Sequence, residues 1–418
     1  MKRLLKVTAM TALLTLLRML MGFVIAKVVA IYTGPTGLAM LGQVQSLVGS
    51  LNGIINAPAG SGVVRFTAEN KEQGFDACAP WWRAAMQWVL IISAITIPFG
   101  VLLAKPIASS LFKDSSLAWV VVATVCVLPF AAIGTLFNSV INGQQLYRRY
   151  VCLGMISSLV SGGVMLAMIS LHNIEGALLA AAIQAALIGV VMLIANLRQP
   201  WFKLCYWWGA VESKARKDIG GYMLMAITSA LTMPMSLILV RNILIDQVGW
   251  DATGQWQAVY KISEVYLGMI TMALGTYYLP RLASLSGVEA IVSEINKTAR
   301  VIIPIVAVMA LGVYFLRDVA ITLLFTDEFR SARELFAIQL TGDVIKITSW
   351  LYAYPILAKG CFRWFIITEI LFSVLFVLFS YYFIAKYGLQ GACIAYAANY
   401  LLYFFVALFL LKRLHLKC

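Results

Sequence analysis

The chain has 418 residues, 62% of them hydrophobic and 12% charged, with a mean hydropathy of +0.88. Soluble domains carry roughly 45–50% apolar and about 25% charged residues, so a water-soluble fold is excluded and the sequence reads as an all-α polytopic membrane protein. The net charge of +14 lies mostly in short segments between apolar runs, where it sets topology; no basic helix or RNA-binding signature accompanies it, and nucleic acid is not expected as a partner.

The opening stretch, MKRLLKVTAMTALLTLLRMLMGFVIAKVVAIY, starts basic, but its apolar run is too long for a cleavable signal peptide and lacks an A-x-A end. It predicts a first span over 8–32. Further spans are predicted over 37–60, 83–104, 117–141, 151–171, 175–197, 218–245, 252–280, 298–316, 334–358, 363–385 and 389–411, twelve in all. An even number puts both termini on one side. Lys2, Arg3 and Lys6 open the chain, and Lys412, Arg413 and Lys417 close it. With both ends inside and Arg83, Arg300 and Arg363 at the cytoplasmic ends of their spans counted with the inside, the inside holds 21 Lys and Arg and the outside segments 6, the remaining 5 lying deeper within spans. The positive-inside rule then makes both termini cytoplasmic.

Between the sixth and seventh spans lies RQPWFKLCYWWGAVESKARKD, basic and rich in tryptophan, which suits a segment lying at the membrane interface. It divides the chain into a six-helix lobe over 1–200, a cytoplasmic basic, amphipathic linker over 201–217 and a second six-helix lobe over 218–418. An internal repeat supports the division. TGLAMLGQVQS begins the second span and TGQWQAVYKIS the eighth; NGQQLYRRY precedes the fifth and KGCFRWF the eleventh; IEGALLAAAIQ opens the sixth and LQGACIAYAAN the twelfth, all at an offset of about 217. Both halves start and end inside, so the repeat is parallel, and in such proteins the pathway usually lies between the halves.

Polar residues recur at helical spacing. The first span offers Thr8, Thr11, Thr15, Arg18 and Gly22; the second Gln43, Ser46, Ser50, Gly53, Ala57 and Gly60; the eighth Gln257, Lys261, Glu264, Gly268, Thr271 and Gly275; the tenth Gln339, Asp343 and Lys346. Tight helix packing favours the same small residues, and for the uncharged second stripe both readings stand. A charge at mid-membrane costs about 2.5–3.5 kcal/mol on insertion scales and usually faces an interior or a wet cavity. Arg18 has no carboxylate inside the predicted spans of the first half, Glu175 standing only at the outer edge of the sixth, which points to a cavity where an anion passes. Lys261–Glu264 and Asp343–Lys346 are i,i+3 pairs that either neutralise themselves or face each other across a wet lumen, exchanging protons or ions. Lys27 lies on the opposite face from Arg18 near the outer end, where it would snorkel. Arg241 stands near the outer end of the seventh span above Pro234, and both roles are open for it. Glu369 is alone in the eleventh span, free to pair with a lysine. Five cations against three acids bias the interior positive, which disfavours a pump for cationic drugs and favours an anion such as a phosphate.

The seven cysteines (Cys78, Cys126, Cys152, Cys205, Cys361, Cys393 and Cys418) form no C-x-x-C pair and read as small core residues. His172 and His415 fall in predicted loops. Neither a metal site nor a cofactor is expected. An enzyme is also disfavoured, since there is no soluble catalytic domain and no D-x-D cluster in a loop.

Twelve helices carrying GPTGLAMLGQVQSL, ISEVYLGMITMALGTYYLPRLASL, FAIQLTGDVIKI and ILAKGCFRWFIITEI resemble the Wzx-type flippases. These form the polysaccharide-transport branch of the multidrug/oligosaccharidyl-lipid/polysaccharide (MOP) exporter superfamily, and the likeness runs closest to its enterobacterial lipid III and O-antigen members. It covers essentially the whole chain and is strongest in the second half. The resemblance implies a MATE-like frame of two lobes around a V-shaped central cavity with a cationic lumen. It also implies that an undecaprenyl-diphosphate-linked oligosaccharide moves from the cytoplasmic to the periplasmic leaflet of the bacterial inner membrane by alternating access, in antiport with protons or sodium.

On that view Arg18, Lys261, Lys346, Arg241 and Lys27 are the candidate substrate-binding cations, and Glu264, Asp343 and Glu369 the acids for ion coupling or charge pairing. Gln43, Asn52, Asn56, Gln257 and Tyr260 are candidate sugar contacts. Trp256 and Tyr266 are candidates for stacking on sugar rings, with interface anchoring the competing role for Trp256. Gln45 stands where the lipid III flippases are basic, which favours an O-antigen repeat unit, and so lipopolysaccharide biosynthesis, over enterobacterial common antigen. Membrane lipids, an O-antigen polymerase and a chain-length regulator are the further partners implied. The alternatives are an ion-coupled exporter of small solutes or drugs, which would want buried carboxylates in the first lobe, and a membrane scaffold, in which neutralising Arg18 and Lys261 would be harmless.

Overall fold

The structure, a computed structural model, describes residues 2–285 and 287–413. His415, Lys417 and Cys418, and the side chains of Lys2, Arg3, Lys6, Thr8, Lys412 and Arg413, lie outside the described set. Among the described residues there are twelve long helices and no strand. Three pairs of predicted spans are continuous helical segments broken at one residue. Lys2–Asn56 kinks at Gly34 into α1 (2–33) and α2 (35–56), Tyr147–Asn196 kinks at Asn173 into α5 (147–172) and α6 (174–196), and Ser213–Ala273 kinks at Gly249 into α7 (213–248) and α8 (250–273). The others are α3 (Phe75–Leu102), α4 (Ala118–Gly143), α9 (Val288–Phe315), α10 (Phe336–Ala358), α11 (Phe362–Tyr387) and α12 (Leu389–Arg413).

Each kink residue has positive φ (61° at Gly34, 49° at Asn173 and 87° at Gly249), the region that glycine enters freely and asparagine tolerates. A sharp kink therefore replaces the short loops predicted there. Beyond α8 a π-helical turn, Leu274–Tyr278, leads into the short helix Leu279–Ser284.

Among the described residues, eight helical segments are long and apolar enough to cross a membrane, three of them being the kinked pairs. The long helix outside that set is α10, which carries Gln339, Asp343 and Lys346. Leu102 (76%), Phe315 (77%) and Leu323 (69%) are among many large apolar side chains turned outward. That surface suits lipid and would aggregate in water. The chain is a multi-pass membrane protein.

The chain falls into two compact units, Met1–Tyr32 with Met40–Met235, and Thr33–Ala39 with Ser236–Cys418. The core of the first unit is aromatic at one end. Trp82 stacks on Trp207 at 5.3 Å, and Phe137 meets Trp201 at 5.3 Å and Trp207 at 5.4 Å. The tryptophans at 201 and 207, read from sequence as interface anchors, are buried in this core, and Trp208 alone of the three is exposed. The basic stretch after them is tied down too: the Trp81 indole donates to Asp218 (3.3 Å) and the Trp88 indole to the Arg216 carbonyl (3.2 Å). Large aromatics bury about 150–250 Å² each, more stabilisation than an interfacial position offers. Elsewhere in this unit α4 and α6 meet backbone to backbone. A Cβ on Gly134 would lie 2.6 Å from the Gly189 Cα, and one on Gly189 would overlap the Phe130 carbonyl oxygen.

The repeat is visible in the backbone. Positive φ occurs at Gly34 and Gly249, at Gln145 and Gly360, and at Asn173 and Gly388, each pair 215 residues apart. The helix Ala104–Phe112 after α3 is matched by Arg317–Leu324 after α9.

Three cysteines, Cys78, Cys361 and Cys393, are buried as expected, whereas Cys126, Cys152 and Cys205 are exposed. No group of metal-ligating side chains forms among the described residues.

Candidate functional site

The ionisable residues inside helices gather mainly in the second unit. Asp343, on α10, is fully buried and accepts three hydrogen bonds. Two come from the phenol hydroxyls of Tyr266 on α8 (2.7 Å) and Tyr396 on α12 (2.9 Å), and one from the Gln339 carboxamide (3.3 Å). A buried carboxylate is tolerable only when its lone pairs are satisfied in this way. Lys346, one turn further on, does not pair with it. Its ammonium lies over three rings, 5.0 Å from the Trp350 centroid, 5.2 Å from Tyr400 and 5.5 Å from Tyr396. Each such contact contributes about 0.5–2 kcal/mol, more when water is excluded.

The Asp343–Lys346 pair expected from spacing makes no direct ion pair: tyrosines from two other helices hydrogen-bond the acid and an aromatic cage surrounds the base, while the lysine charge still acts on the carboxylate across one turn. The Tyr266–Asp343 bond also packs α8 against α10 directly, with no lumen between them at that level. Tyr266 is buried, so its ring is not presented for stacking on a sugar.

Arg241, on α7, is 2% exposed. Its Nε donates to the Gln257 carboxamide oxygen at 2.9 Å, and its guanidinium lies 5.9 Å from the Trp256 ring. Trp256 stacks on Tyr260 at 5.3 Å and is 1% exposed, which excludes it as an interface anchor. Tyr260 is in turn within electrostatic reach of Lys346, Glu264 and Arg241. These contacts join Arg241, Gln257, Tyr260, Lys346, Tyr396 and Asp343 into one polar seam. Lys261 and Glu264 form the expected i,i+3 pair at 2.8 Å, with side chains 23% and 55% exposed. Glu369, on α11, is half-buried and acts electrostatically on Tyr400 and Tyr403 of α12.

The first unit holds the other candidates. Arg18 is exposed on α1, and its Nε donates to the Ser158 hydroxyl on α5 at 3.4 Å. No carboxylate pairs with it among the described residues. Lys27 is half-buried on the same helix. Gln43 is fully buried and donates to the Leu111 carbonyl at 3.3 Å, a packing contact that leaves it no open face toward a sugar. Asn52 and Asn56 are half-buried, and their carboxamide oxygens have no hydrogen-bond partner among the described residues.

Spacing alone did not reveal Trp350, Tyr396 and Tyr400 as members of the site. A signal was present: Tyr396, Tyr400 and Tyr403 form an aromatic stripe at steps of 4 and 3 on α12, facing a helix that carries an acid and a base.

Residues 4–286 match the family described as polysaccharide biosynthesis protein. Over 404 residues, covering 96% of each chain, the sequence is 30% identical to the lipid III flippase of Escherichia coli (strain K12), and equally to that of Shigella flexneri. Among solved structures, an inward-facing multidrug resistance MATE family transporter of the MOP superfamily superposes with a TM-score of 0.76 at 16% identity, covering 95% of this chain and 94% of that one. The lipid II flippase MurJ, in an inward closed conformation, gives 0.71 at 12% identity, covering 98% and 87%. At these identities the structures establish the fold alone, which this chain shares with both transporters.

Proposed function

Because the chain belongs to the polysaccharide biosynthesis protein family, we propose that it is a flippase for an undecaprenyl-diphosphate-linked oligosaccharide. It works by alternating access in the bacterial inner membrane, moving its substrate from the cytoplasmic to the periplasmic leaflet, with both termini cytoplasmic. The observation that carries the reading is the 30% identity to a lipid III flippase across 96% of both chains. The chemistry agrees. A diphosphate cannot enter hydrocarbon unaided, because burying an unpaired ion costs far more than a protein fold can supply. Arg18, which meets no carboxylate among the described residues, and Lys346, whose ammonium lies over three rings and makes no direct ion pair among the described residues, keep their positive charge available for such a headgroup. Lys261 joins them whenever it leaves Glu264.

Asp343 and its tyrosines form the element suited to a coupling proton or sodium ion. Among the described residues no Asp or Glu of the first unit is buried, which counts against export of cationic drugs on the same frame. Gln45 favours an O-antigen repeat unit as the glycan. The lipid III relatives favour the enterobacterial common antigen lipid as a second reading. The polymerase and chain-length regulator that act on O-antigen units are the partners that follow from the first reading.

The test is complementation of a strain lacking this gene. Arg18→Ala and Lys346→Ala are each expected to reach the membrane at normal level and fail to restore surface polysaccharide. Full restoration by both would remove the cationic basis of the proposal, and the glycan restored by the unaltered chain identifies the substrate.

A further inference from the structure

The first unit contains a cavity of about 380 Å³ that none of the candidate site residues touches. It lies where the helix Ser61–Asn70 meets the C-terminal end of α4 and the start of α5, and its polar lining comes from Ser61, Arg65, Asn138, Ser139, Asn142 and Tyr150. The volume falls within the roughly 300–1,000 Å³ of small-molecule sites.

Three observations define what it would hold. First, the side chains of Asn138, Ser139, Asn142 and Tyr150 make no hydrogen bond to any described residue and line the cavity with their donors and acceptors uncommitted. Groups left uncommitted in this way can be completed by the hydroxyls of a ligand. Second, the lining carries a single charged group, the Arg65 guanidinium, which is engaged by Glu69 at 2.7 Å, and its other polar groups are carboxamides and hydroxyls. Carboxamides and hydroxyls both donate and accept, which matches the hydroxyls of a sugar and offers little to a phosphate. Third, the scaffold does not require these groups. At the 215-residue offset of the backbone repeat, Asn138, Ser139, Asn142 and Tyr150 correspond to Ala353, Tyr354, Leu357 and Phe365, so the second unit builds the same helices without this set of carboxamides and small hydroxyl.

We propose that this cavity is a saccharide subsite that takes one neutral sugar residue. Its link to the carried lipid rests on the flippase reading; its affinity for sugar does not.

The test uses the full-length protein in lipid nanodiscs and saturation-transfer NMR. The probes are free glucose, galactose, mannose and N-acetylglucosamine, with inorganic phosphate as competitor. At least one sugar is expected to bind, phosphate in tenfold excess is expected not to displace it, and Asn138→Leu with Asn142→Leu should weaken binding by about tenfold or more. Tyr150→Phe and Ser139→Ala each remove one hydroxyl without disturbing packing, and each should weaken it about two- to fivefold at unchanged melting temperature. Absence of binding by all four sugars, displacement by phosphate, or unchanged binding in the two single variants would overturn the subsite. Lipid-linked oligosaccharide extracted from cells should displace the free sugar, and undecaprenyl phosphate should not. If the extract fails to displace a sugar that does bind, the subsite stands and its link to the carried lipid falls. Loss of polysaccharide in Arg18→Ala beside unaltered sugar binding in the cavity variants would leave the flippase standing and remove the subsite.

Discussion

The two units are built from one pattern of helices and kinks, yet they place their polar groups in opposite positions. At the 215-residue offset, Asp343, Lys346, Tyr396 and Tyr400 of the second unit correspond to Leu128, Ala131, Ala181 and Ala185 of the first. Where α10 and α12 are joined by a carboxylate, two phenols and an ammonium, α4 and α6 are joined by small residues and a backbone contact at Gly134 and Gly189. Conversely, the polar cavity at the end of α4 corresponds to apolar and aromatic residues at the end of α10. The frame alone therefore demands neither the seam nor the cavity. What differs between two copies of one fold is the better guide to function, because packing needs are shared and chemistry is not.

That contrast can be broken from either side. The largest effect is expected in the first unit. Gly189→Val would drive a branched side chain into the Phe130 carbonyl, with both helices backbone-limited, and should abolish the folded protein, read as loss of monodisperse material after detergent extraction. The corresponding residue of α12 is Phe404, and Phe404→Leu should be tolerated. Next is Trp207→Ala, which removes a buried ring from the aromatic core and should cost about 3–5 kcal/mol of stability, seen as a large drop in melting temperature. Asp343→Leu strands two phenols and a carboxamide and should cost about 2–4 kcal/mol, with Asp343→Asn intermediate because one of its two faces can still accept. The smallest effect on stability belongs to Lys261→Met with Glu264→Gln. This partly exposed pair should contribute about 1 kcal/mol or less, so the melting temperature should barely move while polysaccharide export is lost. Loss of stability with retained export would make the pair a structural clasp instead.

Twelve spans and their repeat could be read from sequence because an apolar run of membrane length has few alternatives. The kinks could not, since a turn and a single positive-φ residue leave similar local patterns; Asn173 in particular looks like an ordinary loop residue. The 201–217 segment misled for a physical reason. Tryptophan suits both a membrane interface and an aromatic core, and only the positions of Trp82 and Phe137 decide between them. The same limit applied to the site. Lys261 and Glu264 meet within one helical turn, so their pairing was legible. The partners of Asp343 are 77 residues before it and 53 after it, so spacing pointed to Lys346 while the fold supplied Tyr266 and Tyr396.

The central claim is that this chain moves a lipid-linked oligosaccharide between leaflets and that Arg18 and Lys346 carry its negative headgroup. The direct measurement is transfer of extracted lipid-linked oligosaccharide across the bilayer of proteoliposomes containing the purified chain. The account predicts transfer well above that of protein-free vesicles, reduced about tenfold or more by Arg18→Ala and by Lys346→Ala at equal reconstitution. Transfer no faster than in empty vesicles, or equal transfer by both variants, would contradict it.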